Sequence, residues 1–199
     1  MTGKHFSMIR SFHLADFFTI ANGFCGVEAL FQAMIFLAGR EAWRLDAAAA
    51  LVLVALCFDV LDGRIARWRH RASALGRELD SLADVISFVV APAGIAFAAG
   101  LQSALDQLIL MYFVGCGLSR LARYNVTAET LAAGGDTVRY FEGTPIPTSI
   151  VPLGLLLVAF HRQTLYPVRV AGLELHLVSL LFLLSGSLMI SKTLKVPKP

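Results

Sequence analysis

Four aspartates fall within one window, at positions 59, 62, 80 and 84, and apolar stretches flank this window on both sides. Carboxylates are costly inside a membrane, so a group of them between apolar segments indicates a functional site. Four such groups at one centre would repel one another unless cations lie between them. Because the ligand atoms are all oxygens, the cluster predicts a site for Mg²⁺, Mn²⁺ or Ca²⁺ rather than for zinc or copper.

The spacing of the aspartates predicts two helix faces that share one centre. Asp59, Asp62 and Ala66 stand at i, i+3 and i+7, which is one face of a helix. Asp80 and Asp84 stand at i and i+4, which is again one face. Two helix ends would then each direct two carboxylates at the same point.

Small and basic residues accompany the aspartates. Gly76 follows a basic stretch and is expected to help turn the chain between the two helices. Gly63 and Ala66 carry almost no side chain, which would leave room for a flat or bulky ligand against the first helix. Arg64 and Arg67 are suited to pairing with phosphate.

Carboxylates that hold hard cations suit phosphate transfer, because such ions neutralise developing charge and orient the leaving group. One carboxylate that stays free of metal can serve as a general base. The alternative interpretation is a structural network of Asp–Arg salt bridges at a helix end. Four acids at this spacing, with glycine and alanine beside them, favour the metal site.

The pattern Asp-x2-Asp-Gly-x2-Ala-Arg-x8-Gly-x3-Asp-x3-Asp, from residue 59 to residue 84, resembles the signature of the CDP-alcohol phosphotransferase family. The resemblance implies integral membrane enzymes with six helices, usually homodimers, that displace CMP from a CDP-linked donor with an alcohol. It implies two Mg²⁺ or Mn²⁺ sites, with Asp59, Asp62 and Asp80 as metal ligands. Asp84 would contribute to the metal site and act as the base. The donor-binding residues implied by the signature are Asp59, Asp62, Gly63, Ala66, Arg67 and Gly76.

Composition independently predicts a membrane protein. Hydrophobic residues make up 57% of the chain and charged residues 16%, with a mean hydropathy of +0.69, whereas soluble domains have about 25% charged residues. The 199 residues predict one all-α integral membrane domain, residues 1–199, with six transmembrane helices. The expected spans are 17–38, 46–66, 80–100, 104–124, 147–161 and 173–191. The basic and apolar segment from Lys4 to His13 predicts a short interfacial helix before them.

The distribution of Lys and Arg predicts the orientation of these spans. If the N-terminus lies inside, 13 of the 17 basic residues lie inside, and only Arg40, Arg44, Arg162 and Arg169 lie outside. This predicts a multi-pass protein, in the inner membrane if bacterial, with both termini and the aspartates on the cytoplasmic side. The net charge of +3 is then explained by topology and membrane phosphate, so no nucleic-acid partner is expected.

A second polar segment, residues 117–149, is the expected acceptor region. Arg120 and Arg123 stand at i and i+3 near the end of the fourth expected span, on the same side as the aspartates. Two arginines there can hold a carboxylate or a phosphate. The alternative is that they only anchor the span by snorkelling. The run from Thr144 to Pro147 is a rigid entry to a helix.

Two stretches in this region resemble the integral-membrane phosphatidylserine synthases of bacteria and fungi. They are Arg-Leu-Ala-Arg-Tyr-Asn-Val-Thr from Arg120 and Tyr-Phe-Glu-Gly-Thr-Pro-Ile-Pro-Thr from Tyr140. Phe is more usual at Tyr124, and Leu is frequent at Thr144. The likeness runs from residue 6 to about residue 150. It implies that CDP-diacylglycerol, with its tails in the lipid bilayer and its head group in a cytoplasmic cavity, reacts with L-serine to give phosphatidylserine and CMP.

This resemblance also implies two sets of binding residues. Those expected to bind serine are Arg120, Arg123, Asn125, Thr144 and Thr148. Thr19 and Asn22, in the first span, are candidates for contact with the nucleotide of the donor.

Other functions are compatible with parts of the pattern. The acceptor could be inositol phosphate, glycerol phosphate or choline, although a phosphorylated acceptor would require more basic residues than Arg120, Arg123 and Arg139. A cation transporter would place its acids near the middle of broken helices, whereas here they cluster at one membrane face. A catalytically silent lipid-binding scaffold would require a damaged site, and this site is intact.

Overall fold

The computed structural model describes residues 14–68, 74–134, 140–170, 172–191 and 195–197. These residues form helices joined by short connections. The helices are α1 (Leu14–Gly39), α2 (Trp43–Trp68), α3 (Ala74–Asp84), α4 (Ala91–Ala99), α5 (Ala104–Gly134), α6 (Ile150–His161) and α7 (Ser179–Ile190). A π-helical stretch (Val85–Val90) joins α3 to α4 in one continuous rod, and a 3₁₀ turn (Ile146–Ser149) precedes α6.

Among the described residues, three helical stretches are long and apolar enough to cross a membrane: Ala15–Gly39, Leu75–Ala99 and Ala104–Thr127. Helix α2 has 26 residues, about 39 Å at 1.5 Å per residue, but it carries two of the four aspartates, Asp59 and Asp62. Two further apolar helices are shorter, Ile146–His161 and Ser179–Ile190. A mostly helical membrane protein is therefore confirmed, while the number of six spans stays a prediction. The expected interfacial helix lies outside the described residues.

Four short strands add to the predicted all-helical fold. Strand β1 (Tyr140–Glu142) pairs antiparallel with β4 (Lys195–Pro197), with Phe141 opposite Val196. Through this pairing the end of the chain lies beside the segment that leads into α6.

The other two strands form a hairpin, β2 (Pro167–Val170) with β3 (Leu173–His176). Gly172, at φ +84°, supplies the left-handed conformation that a tight hairpin turn requires. The sixth expected span, 173–191, therefore begins too early, because its first residues form β3 and α7 starts at Ser179.

A buried aspartate of α5 is hydrogen-bonded to this hairpin. Asp106 is fully buried and accepts a hydrogen bond from Ser103 Oγ at 2.7 Å. The backbone N–H of His176 donates to Asp106 at 3.0 Å, and Nδ1 of His176 lies 2.6 Å from the same carboxylate. This cluster lies at the start of α5, at the end of the bundle opposite the four aspartates, and it is a structural anchor.

Helix α1 packs along α2 and along the α3–π–α4 rod. Phe18 and Phe58 join α1 to α2, with 6.1 Å between ring centroids. At Gly26, an added Cβ would lie 2.6 Å from Ser87 Oγ and 2.8 Å from its Cα. Only glycine allows α1 to approach the π-helical stretch this closely, so α1 lies directly against both helices that carry the aspartates.

Candidate active site

Helices α2 and α3 bring three of the four aspartates together. One carboxylate oxygen from each of Asp59, Asp62 and Asp80 lies within 4.8 Å of the other two. Asp62 is 6% exposed, and the other two are partly buried. Oδ1 of Asp80 is buried and has no hydrogen-bond partner among the described residues. Three carboxylates, one of which has a buried oxygen without a hydrogen-bond partner in the described part of the chain, fit a hard divalent cation.

Asp84 lies one helical turn beyond Asp80 and stands apart from this group of three. Its carboxylate lies within electrostatic range of Asp59 and Asp80. Its Oδ1 accepts a hydrogen bond from Nδ2 of Asn22 at 3.1 Å. The α-helix changes to a π-helix at the next residue, and such changes often accompany functional sites. Asp84 is thus placed beside the group of three and is oriented by α1.

Helix α1 completes the site with polar side chains from one face. The hydroxyl of Thr19 donates to Oδ2 of Asp62 at 2.7 Å, and Asn22 holds Asp84. Both are predicted to contact the nucleotide, and that contact stays a prediction; in the structure their donor groups are hydrogen-bonded to the aspartates. Asp16, 4% exposed and within range of the charge of Asp62, is a residue that the sequence reasoning missed. Its spacing with Thr19 and Asn22, at i, i+3 and i+6, could have indicated it.

The small residues of the signature differ in their surroundings. A Cβ added at Gly63 would meet no atom within 4 Å, so open space lies beside α2 next to Asp62. Gly76 lies in the first turn of α3 rather than in the connection between the helices. That connection, residues 69–73, lies outside the described residues, as do the side chains of Ala66 and Arg67.

Two residues predicted to bind serine have uncommitted polar atoms. Nε of Arg120 is buried without a hydrogen-bond partner in the described part of the chain, and Arg120 lies within electrostatic range of Asp84. Oγ1 of Thr144 is likewise buried and unpaired among those residues. The backbone N–H of Thr144 donates to the carbonyl of Leu188 at 3.2 Å, which fixes this segment against α7.

The other three predicted serine-binding residues make hydrogen bonds within the protein. Nη1 of Arg123 donates to the carbonyl of Ile190 at 3.5 Å. Nδ2 of Asn125 donates to Ser81 Oγ at 3.0 Å and to Glu78 Oε2 at 3.2 Å. The hydroxyl of Thr148 donates to the carbonyl of Pro145 at 2.6 Å. Asn125 therefore joins α5 to α3, and Arg123 joins α5 to α7.

Thr144 and Thr148 also line a cavity of about 220 Å³ between α6 and α7. The rest of its lining is mainly apolar and includes Leu155 and Leu184. The structure thus places these two threonines beside an apolar cavity, whereas Arg120 lies within electrostatic range of Asp84.

The model of the CDP-alcohol phosphatidyltransferase family matches residues 12–185. The chain is 43% identical to a CDP-diacylglycerol–serine O-phosphatidyltransferase from Saccharomyces cerevisiae, over 98% of this chain and 74% of the relative. It is 41% identical to an archaetidylserine synthase from Methanothermobacter thermautotrophicus, over 55% of this chain and 45% of that relative.

A CDP-diacylglycerol–serine O-phosphatidyltransferase from Helicobacter pylori is 36% identical, over 68% of this chain and 53% of the relative. The chain therefore spans about three quarters of the yeast protein and about half of the other two. The family match covers the four aspartates and every helix except the end of α7. The chain belongs to the CDP-alcohol phosphatidyltransferase family.

Proposed function

We propose that this protein is a CDP-diacylglycerol–serine O-phosphatidyltransferase, which transfers the phosphatidyl group from CDP-diacylglycerol to L-serine and releases CMP. The observation that carries the proposal is the convergence of Asp59, Asp62 and Asp80 within 4.8 Å, with Asp84 one helical turn beyond Asp80 in the same rod. Family membership supports the reaction type. The relatives described above are all named for serine, which supports serine as the acceptor.

The donor set fits Mg²⁺ or Mn²⁺, held by Asp59, Asp62 and Asp80, with a second site shared by Asp84. When bound, such a cation would neutralise the pyrophosphate charge and orient the leaving CMP. The burial of these carboxylates supports this assignment, because buried acids in mutual repulsion are costly without a counter-charge.

Asp84 is proposed as the general base. It takes the proton of the serine hydroxyl, and the serine oxygen forms a bond to the phosphorus that carries diacylglycerol. The bond from that phosphorus to the bridging oxygen breaks, and CMP leaves with that oxygen. The hydrogen bond from Asn22 holds one oxygen of Asp84, which leaves the other oxygen for the proton.

The two substrates are assigned to different sides of the aspartates. The open space beside Gly63 is proposed to receive the donor nucleotide, and Arg67 of the family signature its phosphate. The buried Nε of Arg120, which has no hydrogen-bond partner among the described residues, is proposed to bind the serine carboxylate, which a guanidinium recognises well. Thr144, whose hydroxyl is also without a partner in the described part of the chain, is a second candidate for contact with the acceptor.

We further propose six membrane spans. Three are the helical stretches that are long and apolar enough to cross a membrane, and the other three are α2, α6 and α7. Both termini and the aspartates would face the cytoplasm, as the distribution of basic residues indicates. A homodimer is proposed from family resemblance. Cysteine labelling from each side of sealed vesicles tests the orientation, and crosslinking in the membrane tests the dimer.

The reaction is tested by CMP release from purified protein in detergent, with CDP-diacylglycerol and Mg²⁺ or Mn²⁺. L-Serine is compared in parallel with inositol phosphate, glycerol phosphate and choline. Release with serine alone is expected. Release only with another alcohol would retain the mechanism and overturn the assignment of Arg120. No CMP release with any of these alcohols, together with cation flux after reconstitution into sealed vesicles, would overturn the enzymatic proposal.

A further inference from the structure

Besides Asp16, helix α1 buries two uncharged polar side chains on the face that it turns toward the aspartates. Thr19 is 3% exposed and Asn22 is fully buried, although the helix as a whole is apolar enough to span a membrane. A buried polar group is costly unless it is hydrogen-bonded. The hydrogen-bond partners of Thr19 and Asn22 therefore indicate the role of these two side chains.

The hydroxyl of Thr19 has two acceptors within reach. Oδ2 of Asp62 lies at 2.7 Å and the carbonyl of Ala15 at 3.3 Å. A hydroxyl has one hydrogen to donate, and the shorter contact is to Asp62. A threonine in a helix can donate its hydroxyl hydrogen to the carbonyl four residues earlier. Thr19 could therefore form a hydrogen bond even without Asp62. Asp62, in contrast, has one of its oxygens held in a defined position by Thr19.

Asn22 connects to the other helix of the site through both its side chain and its backbone. Its Nδ2 donates to Oδ1 of Asp84 at 3.1 Å. Its backbone carbonyl accepts a hydrogen bond from Ser87 Oγ at 2.8 Å. Thr19 and Asn22 stand at i and i+3, so they lie on one face of α1. That face is hydrogen-bonded to α2 through Asp62 and to the α3–π–α4 rod through Asp84.

The distance between α1 and the rod is set by close backbone approach. A Cβ at Gly26 would lie 2.6 Å from Ser87 Oγ, and a Cβ at Gly23 would lie 3.6 Å from that of Ala83. Packed interiors do not deform continuously. The hydrogen-bond donors of Thr19 and Asn22 are therefore held at a fixed position relative to the aspartates of α2 and of α3.

We propose that Thr19 and Asn22 are positioning residues, and that α1 sets the geometry between the two halves of the centre. Thr19 orients Asp62 for cation binding, and Asn22 orients Asp84 for proton transfer. The Asn22 assignment rests on the proposed function. The Thr19 assignment requires only that the aspartates bind a cation.

Thr19 is tested by Mn²⁺ binding to purified protein, measured from the electron paramagnetic resonance signal of free Mn²⁺ without substrates. Thr19→Val keeps the side-chain shape and removes the donor, and Thr19→Ser keeps the donor. Loss of a partner that orients a metal ligand weakens binding by about 10–100-fold. Thr19→Val should raise the Mn²⁺ dissociation constant by at least about 10-fold, and Thr19→Ser should restore it to within about 3-fold of wild type.

Ser87→Ala is the matched control, because it removes a buried hydrogen bond between α1 and the rod without touching an aspartate. It should leave the Mn²⁺ dissociation constant unchanged. Wild-type affinity in Thr19→Val would overturn the Thr19 assignment. An equal loss in Ser87→Ala, or no rescue by Thr19→Ser, would also overturn it, because general packing of α1 would then explain the effect.

Asn22 is tested by turnover and Mn²⁺ binding together, in Asn22→Leu and, if that variant is not monodisperse, in Asn22→Ala. Turnover with serine should fall about 10–100-fold, a part of what a general base contributes, while the Mn²⁺ dissociation constant of the site formed by Asp59, Asp62 and Asp80 changes less than about 3-fold. An equal change in both quantities would overturn the distinction between Thr19 and Asn22. If the wild type releases no CMP with serine, the proposed function and the Asn22 assignment fail together, and Mn²⁺ binding still decides Thr19.

Discussion

Replacement of Gly63 by alanine should make the protein more stable and less active. Gly63 lies inside α2, and a Cβ added there would meet no atom within 4 Å. Alanine is more favourable than glycine inside a helix by about 0.5–1 kcal/mol. With no clash to offset this gain, the melting temperature should rise by about 2–4 °C per kcal/mol for a chain of this length.

The same methyl group would enter the space proposed for the donor nucleotide. Inserting a methyl group into a well-packed contact costs about 1–3 kcal/mol, which corresponds to about a 5- to 150-fold rise in KM for CDP-diacylglycerol. Gly63→Leu should have a larger effect. The KM for serine should change little, because Arg120 lies in α5 and Thr144 in the segment before α6, not in α2.

The assay is CMP release at saturating serine with varied CDP-diacylglycerol, alongside thermal unfolding in the same detergent. Gly154 provides a matched control, since it also lies inside a helix, α6, with no atom within 4 Å of an added Cβ. Gly154→Ala should bring a similar stabilisation and an unchanged donor KM. A stabilised Gly63→Ala enzyme with wild-type donor KM would refute the placement of the nucleotide beside Gly63.

Four further substitutions test other parts of the structure. Asp84→Asn should abolish turnover while Mn²⁺ and CDP-diacylglycerol still bind in equilibrium assays, and full activity would exclude Asp84 as the base. Arg120→Ala should raise the KM for serine more than the KM for CDP-diacylglycerol, and unchanged serine kinetics would exclude a carboxylate contact. Gly26→Ala should destabilise the protein by about 1–3 kcal/mol, because its Cβ would overlap Ser87, whereas Gly23→Ala should be tolerated in thermal unfolding. Equal melting temperatures for the two glycine variants would contradict the close approach of α1.

Much of the centre follows from local spacing. The i, i+3 and i, i+4 positions of the aspartates predicted two carboxylates on each of two helix faces, and the structure brings Asp59, Asp62 and Asp80 together. The helical membrane character also follows from composition, since long apolar runs have few alternatives to a helix in lipid. Boundaries were less accurate: Gly76 lies within α3, and α7 begins at Ser179 after a hairpin that its apolar residues did not distinguish from a helix.

The sequence by itself determined which residues share a helix face, because the helical period relates only residues a few positions apart. It could not determine which faces meet. The bond between Thr19 and Asp62 spans 43 residues, and that between Asn22 and Asp84 spans 62. Such pairs depend on how three helices pack, and that packing depends on close contacts such as Gly26 on Ser87. Only the tertiary structure therefore decided that α1 holds the aspartates of both other helices.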